Sequence, residues 1–237
     1  MKYLYDRSLA EIVSADYRAS RVFQKYGIDF CCGGKQSFLE ACNGLKIDPQ
    51  VIEKEIENAL VNNEEIDFSA LSPTELIQFI LKEHHEYVRS ESMYLQELSE
   101  KVKQAHVVAH PELAEIASVV KEIMVDMDLH QMKEERILFP FIEALEVAIS
   151  QGGELPKSCF GSVQNPIRNM EHDHDQVGQY LFRLKDLTQN YSLPQDACES
   201  YKALYKRLEA FQNNTFRHVH LENNILFVKA INLQKQI

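Results

Sequence analysis

One ten-residue phrase recurs in outline 88 positions along this chain. His130-Gln-Met-Lys-Glu134-Glu-Arg-Ile137-Leu138-Phe139 returns as His218-Val-His-Leu-Glu222-Asn-Asn-Ile225-Leu226-Phe227. Each copy holds a His, a Glu four residues on, and an Ile-Leu-Phe run at the same offset. On a helix, positions i and i+4 share a face and lie about 6 Å apart along the axis. An imidazole and a carboxylate are therefore aimed the same way, twice. A lone His-x-x-x-Glu pair is most often a helix-stabilising or exposed pair. Two copies with matching tails are how a helical bundle presents ligands to a pair of metal ions.

Spacing finds the remaining ligands. His85 precedes His130 by 45 residues, His174 precedes His218 by 44, and His85 precedes His174 by 89. Leu95 and Leu98 follow His85 by the same steps as Leu184 and Leu187 follow His174. The chain reads as a degenerate tandem of two helical hairpins, each supplying a His and then a His-x-x-x-Glu. The expected metal set is His85, His130, Glu134, His174, His218 and Glu222. Four imidazoles with two carboxylates suit two non-haem iron ions; the mixture matches Fe, Mn or Zn, whereas Mg or Ca takes oxygen alone. Carboxylates from opposed helices can each bridge the two metals, with an oxo or hydroxo bridge between them. That leaves a position open for a small molecule.

The other histidines fall outside the set. His84 faces about 100° away from His85 on a helix, toward solvent or behind the ligands. His172 and His220 sit two positions from a ligand and point elsewhere. His106 and His110 fall in the first interhelical loop. Asp126 and Asp173 stand near His130 and His174, and read as exposed acids before supporting carboxylates.

Four long stretches without internal breakers must position these residues: 73–104, 111–150, 166–190 and 195–234. Ser72-Pro73-Thr-Glu75 is a capping box with Pro at the first helical position. Pro111, Asn165-Pro166 and Asp196-Ala-Cys-Glu199 mark three more starts. Pro140 is expected to kink the second helix just after its Ile-Leu-Phe run. Gly152-Gly153 end that helix, and 154–165 is the one long connection. Apolar residues such as Ile116, Val119, Val120 and Ile123 recur at helical spacing. The fold expected is all-α: an up-down-up-down four-helix bundle over 72–237 behind a small helical N-terminal domain over 1–66. By helix-end counting, His85 and His130 sit at one height, while His174 and His218 do not match.

The N-terminal part shows shorter helical pieces at Leu9–Tyr26, Ser37–Gly44 and Pro49–Val61, then a polar linker, Asn62–Asp67. About 60 residues are marginal as a free domain. This part must lean on the bundle or on a second subunit, which would give a homodimer. The net charge of −11 argues against binding nucleic acid or an anionic membrane. No apolar run approaches the roughly 20 residues of a membrane span, and the first residues lack a signal peptide's apolar region. A cytoplasmic protein is expected. Five scattered cysteines fit a reducing compartment. Cys159 and Cys198 read as plain thiols. Cys31-Cys32, followed by two glycines, can expose thiolates for redox exchange or iron transfer, with Cys42 as a third member.

The two His-x-x-x-Glu-x-x-Ile-Leu-Phe segments, together with Gly27-Ile-Asp-Phe-Cys31-Cys32-Gly33-Gly34, resemble the repair-of-iron-centres family of di-iron hemerythrin-like proteins. The resemblance covers nearly the whole chain. It implies a hemerythrin-like bundle with two iron ions on the six residues above, Glu134 and Glu222 bridging, and a short amino-terminal cysteine domain. It further implies repair of iron–sulfur clusters damaged by nitric oxide or peroxide. The partners implied are damaged iron–sulfur proteins, with nitric oxide or oxygen as small ligand. Iron donation and reduction of nitric oxide stay open at this point, as does a protein that binds or senses oxygen or nitric oxide without turnover.

Overall fold

The computed structural model describes residues 4–60 and 67–236, which are helical throughout apart from turns and loops, with no strand among the described residues. Residues 62–66 of the linker expected over Asn62–Asp67 lie outside them. Four short helices come first: α1 (Leu9–Ala15), α2 (Ala19–Tyr26), α3 (Phe38–Gly44) and α4 (Pro49–Leu60). Ser8 and Ser37 each start a helix through a reciprocal capping box, with Glu11 and Glu40.

The single helix expected over Leu9–Tyr26 is in fact two. Asp16 is extended (φ −158°, ψ 112°), and its carboxylate accepts the Arg18 N–H at 3.0 Å. This local bond offers the backbone an alternative to the helix, as Asp often does. Gly27 closes α2 in the left-handed conformation, with φ 70°.

The bundle comes next: α5 (Pro73–Ile80), α6 (Glu86–His106), α7 (Glu112–Lys133), α8 (Phe139–Gln151), α9 (Gln164–Leu187), α10 (Glu199–Leu221) and α11 (Phe227–Gln234). Helices α5 and α6, α7 and α8, and α10 and α11 are continuous pairs. Each pair is joined by one π-helical turn, at Leu81–His85, Glu134–Leu138 and Glu222–Leu226. The four long helices pack α6 on α7, α7 on α9, α9 on α10 and α10 on α6, as an up-down-up-down bundle requires.

The irregularity in the second helix precedes Pro140 rather than arising from it. Phe139 N–H bonds back to Glu134 O across the π turn, and Pro140 opens the first turn of α8. Phe227 N–H bonds to Glu222 O in the same way, with no proline nearby. The repeated Glu-x-x-Ile-Leu-Phe is thus the sequence of a π turn.

The mismatch in the second hairpin has a plain cause. His174 lies 13 residues before the end of α9, and His218 lies 19 after the start of α10. The stretch from Thr188 to Cys198 makes up the height. Gln189, Asn190 and Tyr191 take positive φ there, and the Tyr191 hydroxyl donates to Gln212 Oε1 at 2.9 Å.

Two apolar clusters divide the molecule. One runs from Leu9, Phe23 and Phe38 of the N-terminal helices into Leu95, Val120, Leu181, Phe211 and Phe216 of the bundle. The other holds Leu76, Ile80, Leu138, Ile142, Ile167 and Leu226 at the opposite end. The N-terminal helices therefore lean on their own bundle. Asn224 Nδ2 also donates to Phe30 O, and Asn223 Nδ2 to Cys31 O, each at 3.3 Å.

Candidate metal centre

Between the two clusters lies a buried polar layer. His85, His130, His174 and His218, from four different helical segments, meet there with Glu134 and Glu222; none is more than 2% exposed. The π turns set this layer. His85 is the last residue of the first turn, and Glu134 and Glu222 are the first residues of the other two. A π turn adds a residue without breaking the helix and re-aims the side chains beyond it, a frequent device at functional sites.

All six residues expected from spacing come together, in two overlapping groups. His85, Glu134, His218 and Glu222 form one; His130, Glu134, His174 and Glu222 form the other. Within each group one ligand atom per residue lies within 4.8 Å of all the others. Ligands about 2.1 Å from a common cation stand roughly 3–4.2 Å from one another, so each group has the size of a coordination shell. Both glutamates belong to both groups.

The donor atoms fit a metal better than they fit one another. His85 Nε2 and His218 Nε2 lie 3.2 Å apart, and His130 Nε2 and His174 Nε2 3.0 Å. Glu134 Oε2 stands 3.2 Å from His130 Nε2 and 3.4 Å from His85 Nε2. Yet both Glu134 oxygens and Glu222 Oε2 are buried without a hydrogen-bond partner. Buried unpartnered carboxylates are expensive, and a cation between them removes that penalty. Burial alone would push His130 down, but the carboxylates of Glu134 and Asp173 lift it to about 10. The acids of the layer thus call for positive charge at this position.

The outward nitrogens are fixed by partners (Glu135, Asn223 and Asp173) that spacing does not single out as supports. Glu135 Oε1 accepts from His85 Nδ1 at 2.7 Å, and Asn223 Oδ1 from His174 Nδ1 at 2.8 Å. Both come one residue after the shared glutamates, so the repeated phrase carries them at equivalent positions. Such bonds hold the tautomer that leaves Nε2 free for a metal. Phe139 stacks on His85 at 5.7 Å and Phe227 on His174 at 6.1 Å, so the repeated Phe braces the same two rings.

Asp173 is no merely exposed acid. It lies 3.5 Å from His130 Nδ1 and takes an ion pair from Lys133 at 2.7 Å. Those bonds, His130 first, draw its carboxyl down to about 2. No such acceptor stands behind His218, whose Nδ1 is buried without a hydrogen-bond partner; His84 instead stacks on the face of its ring at 5.5 Å and 5°. His84 is therefore buried against a ligand, not at the surface. Burial and the neighbouring His218 push it down to about 3, so it is neutral. Asp126 instead accepts from Gln176.

The remaining histidines stay outside the layer. His172 is exposed. His220 faces the N-terminal helices, 5.9 Å from the rings of Tyr17 and Phe30. His106 contacts Cys198 Sγ at 3.2 Å, and His110 pairs with Asp196 and Glu112.

Cys31 and Cys32 lie beside the layer rather than in it. Their sulfurs are 3.9 Å apart, and Asp29 Oδ1 accepts both backbone N–H groups. Asp29, Cys31 and Cys32 form a third group of the kind that holds cations. Against the expected pair of exposed thiolates, Cys31 is buried and its thiol is pushed well up by Cys32 and burial, and only Cys32 is partly exposed; both are free thiols. Cys42 sits fully buried in α3 and does not join this group. Gly33 and Gly34 serve close packing: an added Cβ would stand 2.8 Å from Asp29 O and 2.7 Å from Phe30 O respectively. Asn223 joins the two places, with its Nδ2 on Cys31 O and its Oδ1 on His174.

Comparison with known proteins agrees with this architecture. Residues 76–230 match the hemerythrin HHE cation binding domain, and residues 5–60 match the ScdA_N domain, described as of unknown function. The chain is 33% identical over 227 residues to the iron-sulfur cluster repair protein YtfE of Yersinia pestis (strain Pestoides F) and to that of Yersinia pseudotuberculosis serotype O:1b (strain IP 31758). Each alignment covers 95% of this chain and 97% of the relative. No helix among the described residues is long and apolar enough to cross a membrane.

Proposed function

The chain belongs to the repair-of-iron-centres family, and on that premise we propose that it is a non-haem di-iron protein that repairs iron–sulfur clusters damaged by nitrosative or oxidative stress. The observation that carries the reading is the pair of overlapping ligand groups sharing Glu134 and Glu222. One iron would be held by His85 and His218, the other by His130 and His174, with both glutamates common to the two. Two protein nitrogens and two carboxylates at each position would leave room for a small ligand such as nitric oxide or oxygen. The metal pair supplies electrons and Lewis acidity to such a ligand.

The protein's own groups prepare that chemistry. Glu135, Asn223 and Asp173 accept from the outward imidazole nitrogens and so keep the inward ones as lone pairs. The apolar clusters on either side keep bulk water from the layer. Cys31 and Cys32 form the second working element, where iron passes to a damaged cytoplasmic iron–sulfur protein or where thiols exchange. Iron donation and nitric oxide reduction are both open to this arrangement, and the presence of the cysteine turn favours repair over sensing without turnover.

The test is recovery of a cluster enzyme inactivated by nitric oxide. The iron-loaded protein is expected to restore its activity, and C31S/C32S is expected to keep its iron while losing most of the recovery. No recovery by a protein that holds its iron refutes the reading. Full recovery by C31S/C32S removes the cysteines from it.

A further inference from the structure

A cavity of about 560 Å³ opens between α2 of the N-terminal domain and the first and last long helices of the bundle. That is the size of a small-molecule site. Its lining contains none of the six candidate ligands. Ser20 and Arg21 come from α2, Phe79 and His84 from the first bundle helix and its π turn, and Asn214 and Arg217 from α10.

Three polar atoms of these walls are buried without a hydrogen-bond partner: Ser20 Oγ, His84 Nε2 and Arg217 Nε. Ser20 is 0% exposed and His84 2%, so these atoms lie behind the cavity surface rather than on it. The Arg217 guanidinium lies over the rings of Tyr17, Phe68 and Phe79 at 4.7, 5.2 and 5.8 Å. Among the described residues it makes no ion pair with a carboxylate, and neither does Arg21. Glu83, the one acid of the lining, is already near Lys82 Nζ at 3.7 Å. Two guanidinium groups thus line this cavity with no carboxylate bonded to either among the described residues, in a chain whose net charge is −11.

We propose that this cavity binds a small organic carboxylate, with Arg217 as the principal anchor and Arg21 as a further donor. A guanidinium presents paired N–H groups that match the two oxygens of a carboxylate. Tyr17 and Phe79 give an apolar wall for the ligand's carbon body. Phosphate can pair with the same guanidinium groups but has no carbon body to lay on the Tyr17 and Phe79 wall. The site also abuts the metal layer. His84, which lines the cavity, stacks on His218. Occupancy is thus separated from a candidate ligand by one imidazole. The proposal does not depend on the repair reading, since it concerns residues outside the six.

The test is calorimetric titration of the full chain, iron-loaded and metal-free, with succinate, citrate and inorganic phosphate. Succinate or citrate is expected to bind both forms, and R217Q and R21Q are expected to weaken binding at least tenfold each. Arg21 is exposed, so R21Q reports on the site even where R217Q disturbs folding. Binding unchanged in R21Q, no binding of either carboxylate, or phosphate bound as tightly as both, each overturns the proposal.

Discussion

Replacing Glu134 with Leu and His85 with Ala separates a shared ligand set from two independent ones. Glu134 belongs to both four-residue groups, and His85 to one. E134L therefore takes each metal position from four protein ligands to three. H85A leaves the position of His130 and His174 with all four. A four-ligand protein site stores roughly 10–16 kcal/mol of binding free energy, or roughly 3 kcal/mol per ligand. By the affinity scale that is about a hundredfold in Kd for each ligand lost. Iron content after anaerobic purification is expected to fall from about two per chain to about one in H85A. It should fall well below one in E134L under a chelator that leaves the wild type loaded. Competition with that chelator gives the two affinities directly. The metal-free proteins supply the folding control. Leu fills the space of Glu134 but leaves His130 without its charge partner, so metal-free E134L is expected to keep its helical circular dichroism while losing about 3–5 kcal/mol of stability. An E134L protein that keeps two irons refutes the shared set. So does an H85A protein that loses both as readily as E134L.

The bonds around the layer give two further outcomes. N223A removes the acceptor of His174 Nδ1 and the donor to Cys31 O together, so iron affinity is expected to drop about 10–100-fold, as for other outer partners of metal ligands. N223D, which keeps the acceptor, should recover most of that affinity in the same chelator competition; equal loss in both variants would take Asn223 out of this role. His220 gives a pH signature: burial first, then the Arg217 charge, push its folded pKa down to about 3. The unfolded chain takes up that proton below about pH 6.5 while the folded one does not, so stability is lost as pH falls from there toward 3. Between pH 7 and 5 the loss is about 2 kcal/mol. The gap in denaturant stability between wild type and H220Q is expected to narrow by about that amount at pH 5, and a gap independent of pH contradicts the buried neutral ring.

The six central residues are legible in the sequence because their chemistry and their period coincide. His and Glu at i and i+4 share a helix face whatever surrounds them, and the 88-residue repeat extends that local fact to two more helices. The four-helix order is legible for a similar reason, since capping boxes and prolines act on the nearest turn. The rest is set by tertiary contact or by choices the same residues can make either way. Nothing in Glu-x-x-Ile-Leu distinguishes an i to i+4 bond from an i to i+5 bond. In sequence the π turn therefore reads as a kink owed to Pro140. Asp16 suits a helix or a local bond to Arg18, and the structure takes the second. Asp173 reads as exposed from its neighbours in sequence, whereas its partners His130 and Lys133 come from another helix. The docking of the N-terminal helices rests on a shared apolar cluster and adds Asn223 and Asn224, two residues of the repeat that have no special meaning until Cys31 and Phe30 are placed against them.

The departures from the repeat then have a pattern. Both histidines of the first hairpin are backed by acids, His85 by Glu135 and His130 by Asp173. In the second, His174 is backed by the neutral Asn223, and His218 has no partner at Nδ1, only the ring of His84 stacked on its face. An anion behind an imidazole raises its basicity toward a metal, and a neutral amide does so less. The second hairpin has also taken on contacts the first lacks. Asn223 and Asn224 hold the cysteine turn, and His220 packs on Tyr17 and Phe30. Each ligand group draws one histidine from each hairpin, so neither group is electrostatically privileged. The two groups differ instead in what lies behind their neutral side: the cysteine turn behind His174, and the Arg217 cavity behind His218 through His84. A change at Cys31 and Cys32 thus has a bonded route to one metal position, and a ligand in the cavity has a stacked route to the other.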